Sequence, residues 1–205
     1  MTEGFTRRTP SRWGEGGGLR EEILAVGARM LAESGREGDL SLRAVAREVG
    51  ISAPSVYLHF KDRAELVAAV TQLAYDRLVA DLREARERGR EDAPRAALRA
   101  MAQHYCAFAL DNPQRYRLMF GIERMPVSRD ELPRHPLWLV HDVWAEAVAA
   151  CQEGRHESRD DERVVKLLWF SLHGVVAMAM STPFETDRQT LEEMADELLD
   201  LALVD

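Results

Sequence analysis

Apolar residues recur along this chain with the 3.6-residue period of amphipathic helices, and no segment shows the strict alternation of a half-buried strand. Capping residues, glycines and prolines divide the pattern into about nine helices. We therefore predict an all-α fold. The predicted helices cover approximately 19–34, 42–49, a short segment after Ser52, 62–88, 94–111, 114–121, 136–152, 160–181 and 187–204.

The segment Ser41–Lys61 contains two short helical patterns separated by a tight turn. Ser41 is a natural N-cap, because its hydroxyl can accept a hydrogen bond from a free backbone N–H. Gly50 stands where a left-handed residue would end the first helix. Ser52 caps the second helix, and Pro54 falls in its first turn, where a missing N–H costs nothing. This spacing is typical of a helix-turn-helix, with inward apolar residues at Leu42, Val45, Ala46, Val49, Val56 and Phe60.

The outer face of the second helix carries four different polar groups. Ser55, Tyr57, His59 and Lys61 offer a hydroxyl, a phenol, an imidazole and an ammonium. A surface αα-hairpin would tolerate almost any polar residue at these positions. A set of hydrogen-bond donors on one face instead favours DNA binding.

The run SLRAVAREVGISAPSVYLHFKDRAEL resembles the DNA-binding domain of the TetR family of bacterial transcriptional regulators. The similarity extends upstream through REEILAVGARMLAESG, so it covers about residues 19–66. Leu58 departs from the aromatic residue common at its position, and Gly27 departs from the usual alanine. The resemblance implies a three-helix domain that binds double-stranded operator DNA. We expect DNA contacts from Ser41, Arg43, Ser52, Ala53, Ser55, Tyr57, His59 and Lys61.

Within this set, Tyr57, His59, Lys61 and the two capping serines are expected to bind phosphates. Ala53, Ser55 and Arg43 are expected to meet base edges; Ala53 offers only a methyl group, whose natural partner is a thymine methyl. We expect a disordered basic arm over 1–18, the DNA-binding domain over 19–65, and a ligand-binding and dimerisation domain over 66–205. The arm carries Arg7, Arg8 and Arg12, which either reach a minor groove or form an ordinary tail.

The predicted helix 160–181 is apolar on two sides, and both sides must be buried. One side, with Trp169, Leu172 and Val176, can meet its own domain. The other side suits a partner helix in a symmetric homodimer, and the expected interface is Phe170, Gly174, Ala177, Met178 and Ser181, joined by Leu198. Trp169-x-x-x-His173-Gly174 and NPQRYRLMFG also resemble a Trp-His-Gly subgroup of the TetR family.

Aromatic and methionine side chains are abundant in the carboxyl-terminal part of the chain. At helical spacing such side chains usually form ordinary core. Between the helices of a bundle they also line apolar pockets, and methionine adapts to irregular ligands. We expect a pocket for a small-molecule effector lined by Met101, Tyr105, Met119, Phe120, Trp144, Trp169 and His173.

Composition limits the remaining function classes. The net charge is −8, yet residues 1–65 hold 10 basic and 10 acidic residues, so the negative charge lies beyond them. No metal-ligand spacing, phosphate loop, nucleophile motif or paired carboxylate indicates an enzyme, a metal site or a cofactor. Two isolated cysteines, the lack of an apolar signal segment and the short apolar run 167–180 favour a cytoplasmic protein without a membrane span.

These observations together predict a ligand-released repressor that binds a palindromic operator as a homodimer. One alternative is a small-molecule-binding or interaction protein whose DNA-binding domain is not essential. Another is a pocket that has become catalytic. The retained DNA donors argue against the first alternative, and the lack of acid–base pairs argues against the second.

Overall fold

The computed structural model describes residues 16–34, 38, 40–89, 93–120, 135–153, 160–181 and 187–203, and within these ranges it contains nine α-helices and no strand. This result confirms the predicted all-α fold. The helices are α1 (Gly16–Ser34), α2 (Leu42–Val49), α3 (Ala53–Tyr57), α4 (Arg63–Gly89), α5 (Pro94–Asp111), α6 (Pro113–Phe120), α7 (Leu137–Gln152), α8 (Asp161–Ser181) and α9 (Arg188–Ala202).

α1 starts earlier than predicted and α9 has a different N-cap, whereas the other helix starts agree with the prediction to within one residue. α1 begins at Gly16, so the end of the expected arm is helical; glycines are poor helix formers, and the pattern contains no signal for this extra turn. The three arginines of the arm lie outside the described residues. For the last helix, the sequence suggested a capping box between Thr186 and Gln189. The N-cap is instead Asp187, whose side chain accepts a hydrogen bond from the Thr190 N–H.

Contacts divide the chain into two compact units. Among the described residues, the first unit comprises α1 to α3, α4 up to Ala74, and the second half of α6 from Arg117. The boundary falls inside α4, beyond the expected boundary at residue 65, because Leu66, Val67 and Val70 are buried in the core of this first unit. Other core residues of this unit are Ile23, Leu24, Leu31, Leu40, Leu42, Val45, Ala46, Val56 and Phe60.

The second unit is built around α5, which packs against α7, α8 and α9. The core side of α5 includes Leu98, Met101, Tyr105 and Phe108, all buried. Ion pairs tie the outer sides of α5 and α9 together. Arg95 Nη2 lies 2.8 Å from Asp200 Oδ1, and Arg99 Nε lies 3.1 Å from Asp196 Oδ1.

The buried stripe of α9 differs from the predicted one. We expected Leu191, Met194, Leu198 and Leu201 to face inward, but the buried residues are Leu191, Ala195, Leu199 and Ala202. Small alanines allow α9 to approach α5 and α8 closely, so the larger side chains are left outside. Met194 and Leu201 are exposed, and Leu198 is half-buried.

α8 has one buried and one exposed apolar face. Val164, Val165, Leu168, Trp169, Leu172 and Val176 are buried. Phe170 and Met178 on the other side are 60% and 61% exposed. By length and composition alone α8 could cross a membrane. In this structure α8 packs its buried face against α5, α7 and α9.

Candidate DNA-binding and ligand-binding sites

The turn between α2 and α3 is held by the local interactions expected from the sequence. Ser41 Oγ accepts a hydrogen bond from the Ala44 N–H at 3.1 Å. Gly50 has a φ of 78°, in the left-handed region that favours glycine. The Gly50 and Ile51 N–H groups donate to the carbonyls of Arg47 and Ala46, at 3.2 and 2.9 Å. The end of α2 therefore leads directly into the start of α3.

The start of α3 contains a pair of linked hydroxyls. Ser52 Oγ accepts a hydrogen bond from the Ser55 N–H at 3.3 Å, and it lies 2.7 Å from Ser55 Oγ. One of the two hydroxyl protons is used between the serines. The other is free to donate outward, since each hydroxyl carries one donor.

The remaining predicted DNA contacts differ in exposure. Arg43, Tyr57 and Lys61 are exposed, whereas Ala53, Ser55 and His59 are half-buried. Val56 on the opposite side of α3 and Phe60 beyond its end are fully buried in the core of the first unit, and the Arg20 guanidinium lies 5.0 Å from the centre of the Phe60 ring. The core contacts thus fix which side of α3 faces solvent.

Leu58 is an exposed residue that the sequence analysis did not assign to the site. It is 85% exposed, next to Tyr57 at 52%. The sequence feature that could have drawn attention to Leu58 is its departure from the aromatic residue common at this position. Together with Tyr57 it leaves an apolar surface exposed at the end of α3.

A hydrogen-bonded turn that the sequence analysis missed follows α3. Asp62 Oδ1 accepts from the Glu65 N–H at 2.8 Å, and Glu65 Oε2 accepts from the Lys61 N–H at 2.7 Å. This arrangement closely resembles a capping box. It fixes the backbone of Lys61 at the start of α4, so the ammonium extends from a rigid position.

The second unit contains a buried polar cluster formed by Tyr105, Tyr116 and His173. The two tyrosine hydroxyls lie 2.9 Å apart, and His173 Nδ1 lies 2.5 Å from the Tyr116 hydroxyl and 3.3 Å from the Tyr105 hydroxyl. The Tyr116 ring also stacks on the His173 imidazole. Tyr116 was missed because it lies on α6, and no spacing in the sequence relates it to α8.

Two tryptophans lie beside this cluster. The Trp144 ring makes an edge contact with Tyr105, with ring centroids 6.0 Å apart. The Trp169 indole lies near the Tyr105 hydroxyl and acts to lower the pKa of that hydroxyl. The Trp169 N–H does not reach the geometry of a hydrogen bond. The Nε1 atoms of both tryptophans are buried and have no hydrogen-bond partner.

The structure brings only part of the predicted ligand-binding set together. Tyr105, Trp144, Trp169 and His173 cluster in the second unit, and Met101 is buried one helical turn before Tyr105. Met119 and Phe120 belong to the first unit instead. The reason is that the second half of α6 packs its Leu118 side chain on the core of that unit.

Burial controls the protonation of this region. It raises the pKa of both Tyr105 and Tyr116, so both remain hydrogen-bond donors at neutral pH. Burial also raises the pKa of the Cys106 thiol to about 12, which keeps it protonated and unreactive.

A cleft of about 500 Å³ lies at the start of α8, lined by Asp160, Arg163, Val164 and Leu167. Within the described ranges, it is lined by none of the residues predicted to bind ligand. No group of three His, Cys, Asp or Glu side chains in those same ranges could hold a metal ion.

Comparisons with known proteins match both parts of the chain to described protein families. Residues 23–70 match the family described as bacterial regulatory proteins, tetR family, and residues 98–202 match the tetracyclin repressor-like C-terminal domain. Neither match identifies the Trp-His-Gly subgroup, which stays a prediction.

Individual relatives support the same assignment. The HTH-type transcriptional regulator Mb1846 of Mycobacterium bovis is 32% identical over 103 residues, which is 50% of this chain and 44% of that protein. The chain thus spans less than half the length of this curated relative. A protein of unknown function from Rhodococcus sp. RHA1 has a similar structure, with a TM-score of 0.76, 27% identity, and coverage of 94% of this chain and 97% of that one. The transcriptional regulator FadR from Bacillus subtilis, solved in complex with stearoyl-CoA, shares the fold, with a TM-score of 0.72, 10% identity, and coverage of 90% and 97%.

Proposed function

The chain belongs to the TetR family of transcriptional regulators, DNA-binding proteins that are not enzymes, and from this premise we propose that it is a cytoplasmic, ligand-released repressor of a palindromic operator. The observation that carries the proposal is the doubly capped helix-turn-helix with polar donors on its exposed side. A fold of this type places its second helix in the major groove.

The polar groups around α3 divide into two roles. Tyr57, His59 and Lys61 bind phosphates, together with the hydroxyls of Ser41 and Ser52, and set the register on the duplex. Ala53, Ser55 and Arg43 meet base edges. The free hydroxyl proton of the Ser52–Ser55 pair supplies one of these contacts, since the other proton lies between the two oxygens.

A homodimer explains the exposed apolar surface of the second unit. Phe170, Met178 and Leu201 are large apolar residues that stay exposed on α8 and α9. A Cβ atom added at Gly174 would meet no atom within 4 Å, so this part of α8 is open to a partner helix. We assign the interface to Phe170, Gly174, Ala177, Met178, Ser181 and Leu198. Two-fold symmetry then requires half-sites about one helical turn, roughly 34–36 Å, apart.

Release from DNA depends on an effector bound near the aromatic cluster of the second unit. α4 is one continuous helix from Arg63 to Gly89, and it contributes residues to both units. An effector that prefers the position of α4 in the non-binding state moves the two copies of α3 out of register with successive major grooves.

Selection from a random duplex library at two salt concentrations tests the DNA-binding part of the proposal. The wild type should enrich a pseudo-palindrome. Lys61→Ala should weaken binding to all sequences and lower the salt dependence by about one unit, because one phosphate contact is lost. Ser55→Ala should instead change the preferred bases, at about 1–3 kcal/mol for a lost base contact.

Two results would contradict this assignment. If Lys61→Ala changes base preference while Ser55→Ala weakens every sequence equally, the division of roles on α3 is wrong. If the wild type enriches no sequence above non-specific binding, the repressor function itself is wrong.

A further inference from the structure

Two buried indole N–H donors of the second unit make no hydrogen bond. The hydroxyls of Tyr105 and Tyr116 and His173 Nδ1 satisfy one another within the cluster. The indole N–H groups of Trp144 and Trp169 are buried beside this cluster and make no hydrogen bond, although the Tyr105 hydroxyl lies near the Trp169 indole. An indole nitrogen can only donate, so the Trp144 group requires an acceptor from outside the described chain.

A buried donor without a partner is costly and rare in folded proteins. Trp144 is fully buried and Trp169 nearly so, and the two contact Tyr105 from α7 and α8. Both unpartnered donors therefore belong to one small region. His173 is half-buried, so solvent reaches one side of this region.

The charge of the surroundings restricts the acceptor. Among the described residues, Gln152 is the one buried side chain that is polar or charged by type, and no arginine or lysine is buried. The arginines of α5 and α9 are engaged with carboxylates at the surface. A buried carboxylate on the ligand would find no arginine or lysine here, and the His173 imidazole is already paired with the tyrosine hydroxyls through Nδ1; an unpaired buried charge is strongly unfavourable.

We propose that the effector is an uncharged, largely apolar molecule with a carbonyl or ether oxygen, which accepts a hydrogen bond from the Trp144 indole N–H. Trp169 provides the second donor, and Met101 adapts its flexible thioether to the apolar part of the molecule. This inference rests on the effector site proposed above and specifies its ligand class.

Matched probe molecules test the role of the acceptor. 2-Undecanone and undecane differ in one carbonyl oxygen, as do α-tetralone and tetralin, while undecanoate carries a negative charge. Each probe is titrated into the full-length protein and followed through the indole ¹H–¹⁵N signals and tryptophan fluorescence. At least one ketone should bind more tightly than its matched hydrocarbon and than undecanoate, and should shift the Trp144 indole proton downfield.

Two variants on α7 separate the hydrogen bond from packing. Trp144→Phe should weaken ketone binding by roughly three- to tenfold, the worth of one hydrogen bond, and leave hydrocarbon binding unchanged. Trp138→Phe is the matched control, because Trp138 is exposed on the same helix. This variant should change neither ketone binding nor hydrocarbon binding. The inference is overturned if hydrocarbons bind as well as ketones, if Trp144→Phe weakens both equally, if undecanoate binds best, or if no probe binds.

This result can be separated from the proposed function. The probe titrations require no DNA, so they decide the ligand class even if no operator is found. If operator binding is present and is released by hydrocarbons or undecanoate alone, the repressor function stands and the ligand class proposed here is wrong.

Discussion

Tyr116 and His173 are joined by a 2.5 Å hydrogen bond between the tyrosine hydroxyl and Nδ1, with their rings stacked. This bond links α6 to α8 inside the second unit. The Tyr105 hydroxyl lies 3.3 Å from the same nitrogen, so two hydroxyls neighbour Nδ1, which can form only one hydrogen bond at a time. The two tyrosines are therefore interchangeable partners of one histidine.

This redundancy predicts a non-additive pair of substitutions. Tyr116→Phe or Tyr105→Phe alone should lower the free energy of unfolding by only about 1 kcal/mol, because the other hydroxyl still donates to Nδ1. The double variant removes both hydroxyls from Nδ1, so its effect should exceed the sum of the single effects by about 1 kcal/mol. Urea denaturation of the four proteins measures this difference; additive effects would show that the two hydrogen bonds are independent.

Gly27 is a site where alanine should stabilise the protein. It is a buried helical glycine, and an added Cβ would lie 3.4 Å from Val70 Cγ2 and 3.6 Å from Leu66 Cδ1, which are ordinary contact distances. Gly27→Ala should raise the free energy of unfolding by about 0.5–1 kcal/mol through helix propensity.

Gly50 is the matched control for this substitution. Its φ of 78° is unfavourable for alanine, although a Cβ there would meet no other atom. Gly50→Ala should lower the free energy of unfolding by about 1–2 kcal/mol. Urea denaturation of both variants measures these changes in the free energy of unfolding. A loss of stability in Gly27→Ala would mean that the contacts with α4 are too tight for a methyl group.

Leu58 should contribute to DNA binding without contributing to folding. Leu58→Ala should leave the free energy of unfolding unchanged within about 0.5 kcal/mol, because the side chain is almost fully exposed. It should weaken operator binding by on the order of 1 kcal/mol if DNA covers this apolar surface. Leu73→Ala, at another exposed leucine of the first unit, is the control and should bind like the wild type. Equal operator affinity of the Leu58 variant and the wild type would exclude Leu58 from the interface.

Gly174→Trp should separate the homodimer without unfolding the protomer. A side chain at this position meets no atom of its own chain within 4 Å of its Cβ, so a bulky residue obstructs only a partner. Arg77→Trp, at an exposed residue on α4, controls for the added tryptophan. Sedimentation velocity at micromolar protein should show a dimer for the wild type and the control, and a monomer or a weakened dimer for Gly174→Trp. An unchanged dimer mass would place the interface elsewhere.

His104 should make folding sensitive to mild acid. Burial lowers its pKa below the ordinary value of 6.5, and its Nε2 atom is buried without a partner. The unfolded chain therefore binds a proton on this residue at a higher pH than the folded chain does. Its effect on stability should be negligible well above pH 6.5 and increasingly unfavourable as pH falls below that value.

His104→Leu should remove this component of the pH dependence. Urea denaturation of the wild type and the variant at about pH 8 and about pH 5.5 measures it, and the wild type should lose more stability than the variant. Parallel losses in both proteins would show that other groups cause the acid sensitivity.

Local interactions explain why the sequence predicts the DNA-binding region so closely. α2 begins and ends where the sequence places it, because Ser41 and Gly50 act on backbone groups within a few residues of themselves. The caps at Ser52 and Gly50 and the inward Val56 and Phe60 likewise depend on spacing along one short segment. The role of each polar side chain on DNA stays a prediction.

The candidate ligand site could not be derived in this way. Its members come from α5, α6, α7 and α8, and no periodicity records which of these helices meet or at what angle. For the same reason the sequence joined Met119 and Phe120 to the pocket, whereas the packing of α6 places them with the first unit.

The sequence by itself determined the helical fold and the helix-turn-helix, since these depend on caps, turns and apolar spacing that are local in the chain; the family followed from the resemblance of residues 19–66 to TetR regulators. Only the tertiary structure decided which side of α9 is buried. There, close packing selected Ala195 and Ala202 over the larger Met194 and Leu201. It also paired Tyr116 with His173 and left the Trp144 indole without an acceptor. Contacts between distant segments depend on how helices pack in three dimensions, and helical periodicity carries no information about that packing.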